Sequence, residues 1–385
     1  MRIQKWLTCL FMTGLISISF FNIGFAQPEF IFSIPPVFGP PSSEDGKFDL
    51  PNDVAVDSAG NIYVTDGDNN RVQKFDSSGN FLLKFGTPGN GNSQFNNPNS
   101  IVVDSQDNIY VVDIGNSRVQ KFNSAGVFQL EFGSLGFDDG EFLIPYGIGV
   151  DSSDNIYVTD TGNNRIQKFT SLGAYISQFG SVGMGNGEFT LPQEIDFDSL
   201  GNIYVVDTQN NRIQKFTSLG AYISQFGMMG TNDGQFQNPS DIAIDSLDNL
   251  FVVDNVNNRV QKFDSSGNFI LKFGIQSTAN GDFNTPTGIT VDSFDDIFVA
   301  DRGNDRVQKF SDLSCVIPIS GDWIVTEDCE ISTDESTPAS TIIQNDSVVT
   351  ITASGSLTVP AGENVIVVNG SGLKLIQGSA LNILS

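Results

Sequence analysis

Hydrophobic and polar positions alternate along this chain in short runs, and the runs return with a period of 47 residues. In the first unit they cover 53–56, 61–65, 71–75 and 81–85. Between them stand Asp57-Ser-Ala-Gly60, Gly67-Asp-Asn-Asn70 and Asp76-Ser-Ser-Gly-Asn80, rich in residues that accept tight turns. The unit opens on Pro51, Pro98, Pro145, Pro192, Pro239 or Pro286. A Phe-Gly pair precedes the first unit at Phe38 and ends later ones at Phe85, Phe132, Phe179, Phe226 and Phe273. A fixed period of this size marks a repeat architecture. No segment carries a helical period. Four antiparallel strands per unit and six units predict an all-β fold, a β-propeller of six blades. A blade packs both faces on its neighbours, so its second strand should be apolar throughout. Ile62/Tyr63/Val64, Ile109/Tyr110/Val111 and Leu250/Phe251/Val252 fit.

The last unit lacks a clean fourth strand. Its aligned positions read Cys315-Val-Ile-Pro318, and a proline suits only an edge. The run 29–34 precedes the first repeat and is predicted to supply the outer strand of blade 6, with 316–319 as the competitor. The propeller then spans 27–319. From 320 to 385 the chain turns Thr-, Ser- and Val-rich, with apolar pairs about every eight residues. That spacing suggests a small C-terminal β module, solenoid- or sandwich-like.

The first 26 residues read differently. Arg2 and Lys5 precede an apolar run, and Gly24 and Ala26 sit at positions −3 and −1 of a cut before Gln27, as in a secretory signal peptide, with an uncleaved N-terminal anchor as the alternative. No later stretch reaches the roughly 18 apolar residues of a membrane helix. The mature chain is therefore expected without a membrane span, secreted or on the cell surface. Cys315 and Cys329 remain after cleavage, and an exported chain favours a disulfide between them over free thiols.

Charge narrows the partners. Acidic residues number 45 against 19 basic ones, and losing Arg2 and Lys5 takes the net charge to −28. Such a surface repels phosphate backbones, so nucleic acid is an unlikely partner and a protein or small ligand the expected one. Histidine is absent. No Ser-His-Asp or Cys-His machinery can be assembled without it.

The pattern P-x-x-I/V-x-V-D, then N-I-Y-V-x-D, then N-N-R-V/I-Q-K-F resembles the NHL repeat family over residues 38–310. The resemblance implies a six-bladed propeller. NHL propellers joined to ubiquitin-ligase modules carry Cys/His zinc domains, and those that bind RNA use a basic face; neither is present. The related amidating lyase relies on histidine-bound zinc.

Three sets of residues carry candidate chemistry. Arg71, Arg118, Arg165, Arg212, Arg259 and Arg306 recur with a lysine three residues on. They form either a cation ring for an anion or, as favoured, structural pairs within each blade with Asp66, Asp113, Asp160, Asp207, Asp254 and Asp301. At the start of the inner strands the repeats differ. Asp53, Glu194, Asp196 and Asp241 could converge at the channel mouth as hard oxygen ligands for calcium or magnesium, with solvated carboxylates as the plainer alternative. The loops between blades vary too, placing Leu135, Phe137, Val182, Met184, Met228 and Met229 where soft side chains could bind a partner or merely cover the blade cores. The reading is an exported, non-enzymatic binding scaffold; the alternative is a divalent-metal-dependent hydrolase or lyase in the channel.

Overall fold

A computed structural model describes residues 27–35 and 41–311 in full; beyond them it describes only backbone strands at 10–11, 14–15 and between 329 and 384. The chain divides into two units, Gln27–Asp312 and a second made of Met1–Ala26 with Leu313–Ser385.

The first unit is six four-stranded antiparallel sheets. Blade 1 runs Pro51–Val56, Ile62–Asp66, Arg71–Phe75 and Phe81–Phe85, each strand beside the next. The inner strand starts earlier than its apolar run, because Pro51 pairs with Asp66 across a register shift. Blades 2 to 5 repeat this from Pro98, Pro145, Pro192 and Pro239. Blade 6 takes three strands from one end of the unit, Ile289–Val291, Asp296–Asp301 and Arg306–Ser311, and its outer strand, Glu29–Ile34, from the other. There Val307 lies opposite Ile34 and Ser311 opposite Glu29. Residues 316–319 and Cys315 lie outside the described residues, as does the Cys329 side chain, so the expected disulfide falls there too.

The core lies between blades. Ala55, Tyr63 and Val72 of blade 1 pack with Ile101, Ile109, Val111 and Phe122 of blade 2. Each such layer is plugged from above by a loop phenylalanine: Phe48, Phe95, Phe142, Phe189, Phe236 or Phe283, all at most 1% exposed. Phe95 stands 5.7 Å from Phe122 and Phe236 5.5 Å from Phe263. The glycine of the Phe-Gly pair makes room for the plug. Gly133, at φ +96°, lies against the Phe142 ring where a Cβ would collide.

In the second unit the strands pair antiparallel, Val348–Ala353 with Gly355–Pro360 and Ile366–Asn369 with Gly372–Leu375. No helix among the described residues is long and apolar enough to cross a membrane.

Candidate functional site

Antiparallel strand order puts the loops between blades on the same face as the turns joining second and third strands. One buried polar node per blade holds that face. In blade 1, Asp66 Oδ2 accepts Arg71 Nε at 2.6 Å and Gln73 Nε2 at 3.0 Å. Its Oδ1 accepts the Asp49 amide at 2.8 Å and Asn69 Nδ2 at 3.0 Å. Arg71 Nη2 then donates to the Glu44 and Lys47 carbonyls of the loop. The pattern repeats: Arg118 holds Gly91 and Gln94, Arg165 holds Asp138 and Glu141, and Arg212 holds Gly185 and Glu188. Arg259 holds Asn232 and Gln235, and Arg306 holds Ala279 and Asp282. The arginines pair with Asp66, Asp113, Asp160, Asp207, Asp254 and Asp301, all fully buried.

The pairing within each blade is thus only half of the arginine's work. A guanidinium has five N–H donors, more than one carboxylate can take, and the surplus goes to loop carbonyls. The asparagine and glutamine of the node, Asn69 and Gln73 in blade 1, were not singled out in the sequence. Their signal was the spacing Asp-x-x-Asn-x-Arg-x-Gln, unchanged in all six repeats. The lysines are engaged as well. Lys74 lies 4.7 Å from the centre of the Tyr63 ring and 3.3 Å from Asp57, and Lys121, Lys168, Lys215, Lys262 and Lys309 repeat the arrangement. A ring of free cations for an anion is not formed. Asp57 itself folds its turn, accepting the Ala59 and Asn61 amides. Burial alone would raise it, but hydrogen bonds from Asn61 and Tyr63 and the Lys74 charge hold it below the usual carboxylate range.

The six inner strands line a cavity of about 230 Å³. An inner strand is a sheet edge whose inward N–H groups have no ladder partner. The carboxylates satisfy them across the gaps between blades. Asp53 accepts the Val54 amide and, from blade 2, the Ile101 amide at 2.9 Å and Ser100 Oγ at 3.0 Å. Asp196 accepts the amides of Phe197 and, in blade 5, Ile244; Asp241 accepts those of Ile242 and, in blade 6, Ile289. Glu194 reaches back to Ile148 of blade 3 at 3.2 Å.

Asp53, Glu194, Asp196 and Asp241 thus all line this cavity, and each is also bonded to a neighbouring blade. Asp53, Glu194 and Asp241 are buried, Asp196 is half-buried, and each accepts at least one backbone N–H. Among the described residues no three His, Cys, Asp or Glu side chains are grouped to hold a metal ion. Burial raises Asp53 and Asp196 to about 7. It lifts Glu194 well above the usual range, helped by the charges of Asp241 and Asp53, and Asp241 likewise, helped by Asp53. Tyr146 is pushed up to about 12 by burial and Glu194, against the pull of Arg302.

The variable loop residues stand in water. Leu135 is 69% exposed, Phe137 73%, Met184 77%, Met228 62% and Met229 71%. They do not cover the blade cores, because Phe142, Phe189 and Phe236 in the same loops already do. Leu135, Val182 and Met229 occupy one position in three successive loops, each bridged to that plug in parallel. The loop backbone beneath is fixed: Glu141 Oε2 accepts the Phe137 and Asp138 amides, and Gln167 Oε1 the Gly140 amide.

Fold and node together define a six-bladed β-propeller with a pinned loop face. NHL repeats match at residues 48–75, 95–122, 236–263 and 283–310, and a 6-bladed beta-propeller family at 137–228. The chain is an NHL-repeat protein. Among solved structures it is similar to virginiamycin B lyase from Staphylococcus aureus, a catalytically inactive histidine-to-alanine variant with quinupristin, at 18% identity over 79% of this chain and 91% of that one, TM-score 0.50. An auxiliary nutrient binding protein from Bacteroides thetaiotaomicron matches at 13% identity over 69% of each chain, TM-score 0.53. A gluconolactonase from Xanthomonas campestris matches at 15% over 69% of this chain and 86% of that one, TM-score 0.52. At these identities the likeness is one of fold.

Proposed function

We propose that the protein is an exported, non-enzymatic interaction scaffold that takes a protein or small ligand on its loop face. One observation carries the reading: Leu135, Phe137, Met184, Met228 and Met229 are held in water on loops whose backbone is pinned by side-chain hydrogen bonds, with Arg165 and Glu141 in one loop and with Arg212 and Arg259 in the next two. Ordering such a loop costs nothing further when a partner arrives, and apolar side chains release water on contact. A chain without histidine lacks the residue type whose loss inactivates the Staphylococcus aureus lyase. The channel carboxylates are committed to neighbouring blades, which weighs against the hydrolase or lyase alternative.

The test is capture of secreted and surface proteins by the full chain, repeated with a Met184→Ser/Met228→Ser/Met229→Ser variant. Partners that depend on the loop face should fall at least tenfold. Equal recovery by both chains would overturn the site. Calcium and magnesium titrations by calorimetry on wild type and Asp53→Ala address the alternative: saturable binding lost in the variant would favour it. Export is checked by the mass of the secreted chain, expected to begin at Gln27.

A further inference from the structure

We infer that Met184, Met228 and Met229 form a site of oxidative modification, where a peroxide turns apolar side chains polar and releases what the loop face holds; the release rests on the function proposed above. The chain has five methionines, and Met1 and Met12 lie in the first 26 residues. The other three fall in two consecutive loops, and all three stand in water. Among the described residues the buried apolar core is built from Val, Ile, Leu, Phe, Tyr and Ala, with no methionine. Thioether oxidation therefore reaches one face of the propeller and spares the packing between blades.

The fold does not require sulfur at these positions. Leu135 and Val182 take the place of Met229 in the two preceding loops, and Phe137 takes that of Met184. What methionine adds is a reactive side chain of similar size and polarity. Nor does the loop backbone depend on the thioethers. Arg212 Nη2 donates to the Gly185 and Glu188 carbonyls, and Gln214 Oε1 accepts the Gly187 amide. In the next loop Arg259 Nη2 donates to the Asn232 and Gln235 carbonyls, and the Phe236 amide donates to the Met228 carbonyl. Both loops keep these bonds when the side chains change.

The step balances with hydrogen peroxide as the oxidant. A sulfur lone pair attacks one peroxide oxygen, and the S–O bond forms as the O–O bond breaks. The second oxygen leaves as hydroxide, takes the proton from the first and departs as water. Sulfur gives up two electrons and the peroxide is reduced by them. A sulfoxide oxygen accepts hydrogen bonds from water, so the modified side chain no longer gains by leaving it. An exported chain works in an oxidising compartment, where this chemistry is met.

Peroxide treatment of the full chain, read by peptide mass spectrometry, Nile red fluorescence and urea denaturation, tests this. Met184, Met228 and Met229 should each gain one oxygen, at rates within about fivefold of a free methionine amide. The dye signal should fall about twofold, the urea midpoint should stay, and the two methionine sulfoxide reductases together should restore the signal. Met184→Leu/Met228→Leu/Met229→Leu keeps the face apolar, so its dye signal should ignore peroxide. Slow oxidation of the three residues, a falling midpoint, or equal dye loss in the leucine variant would each overturn the inference. Partner capture should be lost by the oxidised wild type and kept by the leucine variant after the same treatment. Capture that survives oxidation, yet is lost in the serine variant, overturns the switch and leaves the binding face standing. No capture by any chain overturns the binding face and the release together, and the mass and dye readouts then decide the modification.

Discussion

The Glu194 carboxylate of blade 4 fills the space that a side chain at Gly147 of blade 3 would need. A Cβ on Gly147 would collide with Glu194 Oε2 and with the Gln193 carbonyl. The absence of a side chain in one repeat is thus the condition for the clasp made by the next, and Gly288 stands in the same relation to Asp53. Gly147→Ala is expected to cost about 1–3 kcal/mol, the usual penalty for overpacking. Adding Glu194→Ala should not restore stability, because the Gln193 carbonyl remains in the way. Urea denaturation of the wild type and the two variants measures both.

The acids of this propeller divide by the sign of their shift, and stability against pH follows. Asp53 and Asp196, raised to about 7 by burial, together with Glu194 and Asp241, contribute stability that is complete below the unfolded carboxylate range. That contribution is lost as pH rises through about 7. Asp57, Asp104, Asp151 and Asp198 are lowered despite burial, chiefly by their turn asparagines, and contribute stability that is lost as pH falls below the usual range. The urea midpoint should peak between these limits, on the acid side of neutral. Asp196→Asn should flatten the decline between about pH 4 and 7. An unchanged slope would show that Asp196 is ionised throughout.

The loop node predicts a graded response at Arg306. Arg306→Met leaves Asp301 buried without its partner, at an expected cost of about 3–5 kcal/mol. Arg306→Lys keeps the charge but lacks the planar fork, so the bonds to Ala279 and Asp282 cannot both survive. Its cost should be smaller and appear locally. Amide exchange should quicken at Gly281 and Asn284, whose N–H groups rest on Gln308 and Asp301.

What the sequence made legible follows from what repeats. Blade number, strand order and the all-β class were visible because turn chemistry at Asp57 and Asn70 recurs every 47 residues. The loop plug Phe95 recurs just as faithfully, yet it sits among Gly, Asn and Ser, where no hydrophobic pattern marks it as core. The carboxylates at Asp53 and Glu194 line the cavity, but their bonds across the blades were not legible for a different reason. Their variation among repeats resembled a ligand set, whereas each blade bonds its neighbour by a different route, and Ser100 and Gly147 complete the same column. The loop residues near Met229 stood out because they vary between repeats, and their exposure needed the plug to be known.

The ring is closed by Glu29–Ile34, and alternation along that strand gives a sharp contrast. Ile34 is 1% exposed and packs with Phe298 and Val307 of blade 6 and Val54 and Ile62 of blade 1. Ile31, three residues earlier, is 46% exposed on the other side. Ile34→Ala should cost about 2–5 kcal/mol, the loss of transfer free energy plus a cavity shared by two blades. Ile31→Ala should stay within about 0.5 kcal/mol, as surface changes do. Removing residues 27–34 altogether should go further, exposing the Arg306–Ser311 edge and the Phe310 ring that Phe30 covers at 6.0 Å. Unfolding of that chain should lose cooperativity, and a synthetic peptide of sequence EFIFSI should restore part of it in a concentration-dependent way. A truncated chain with an unchanged midpoint would mean that the outer strand adds nothing to closure.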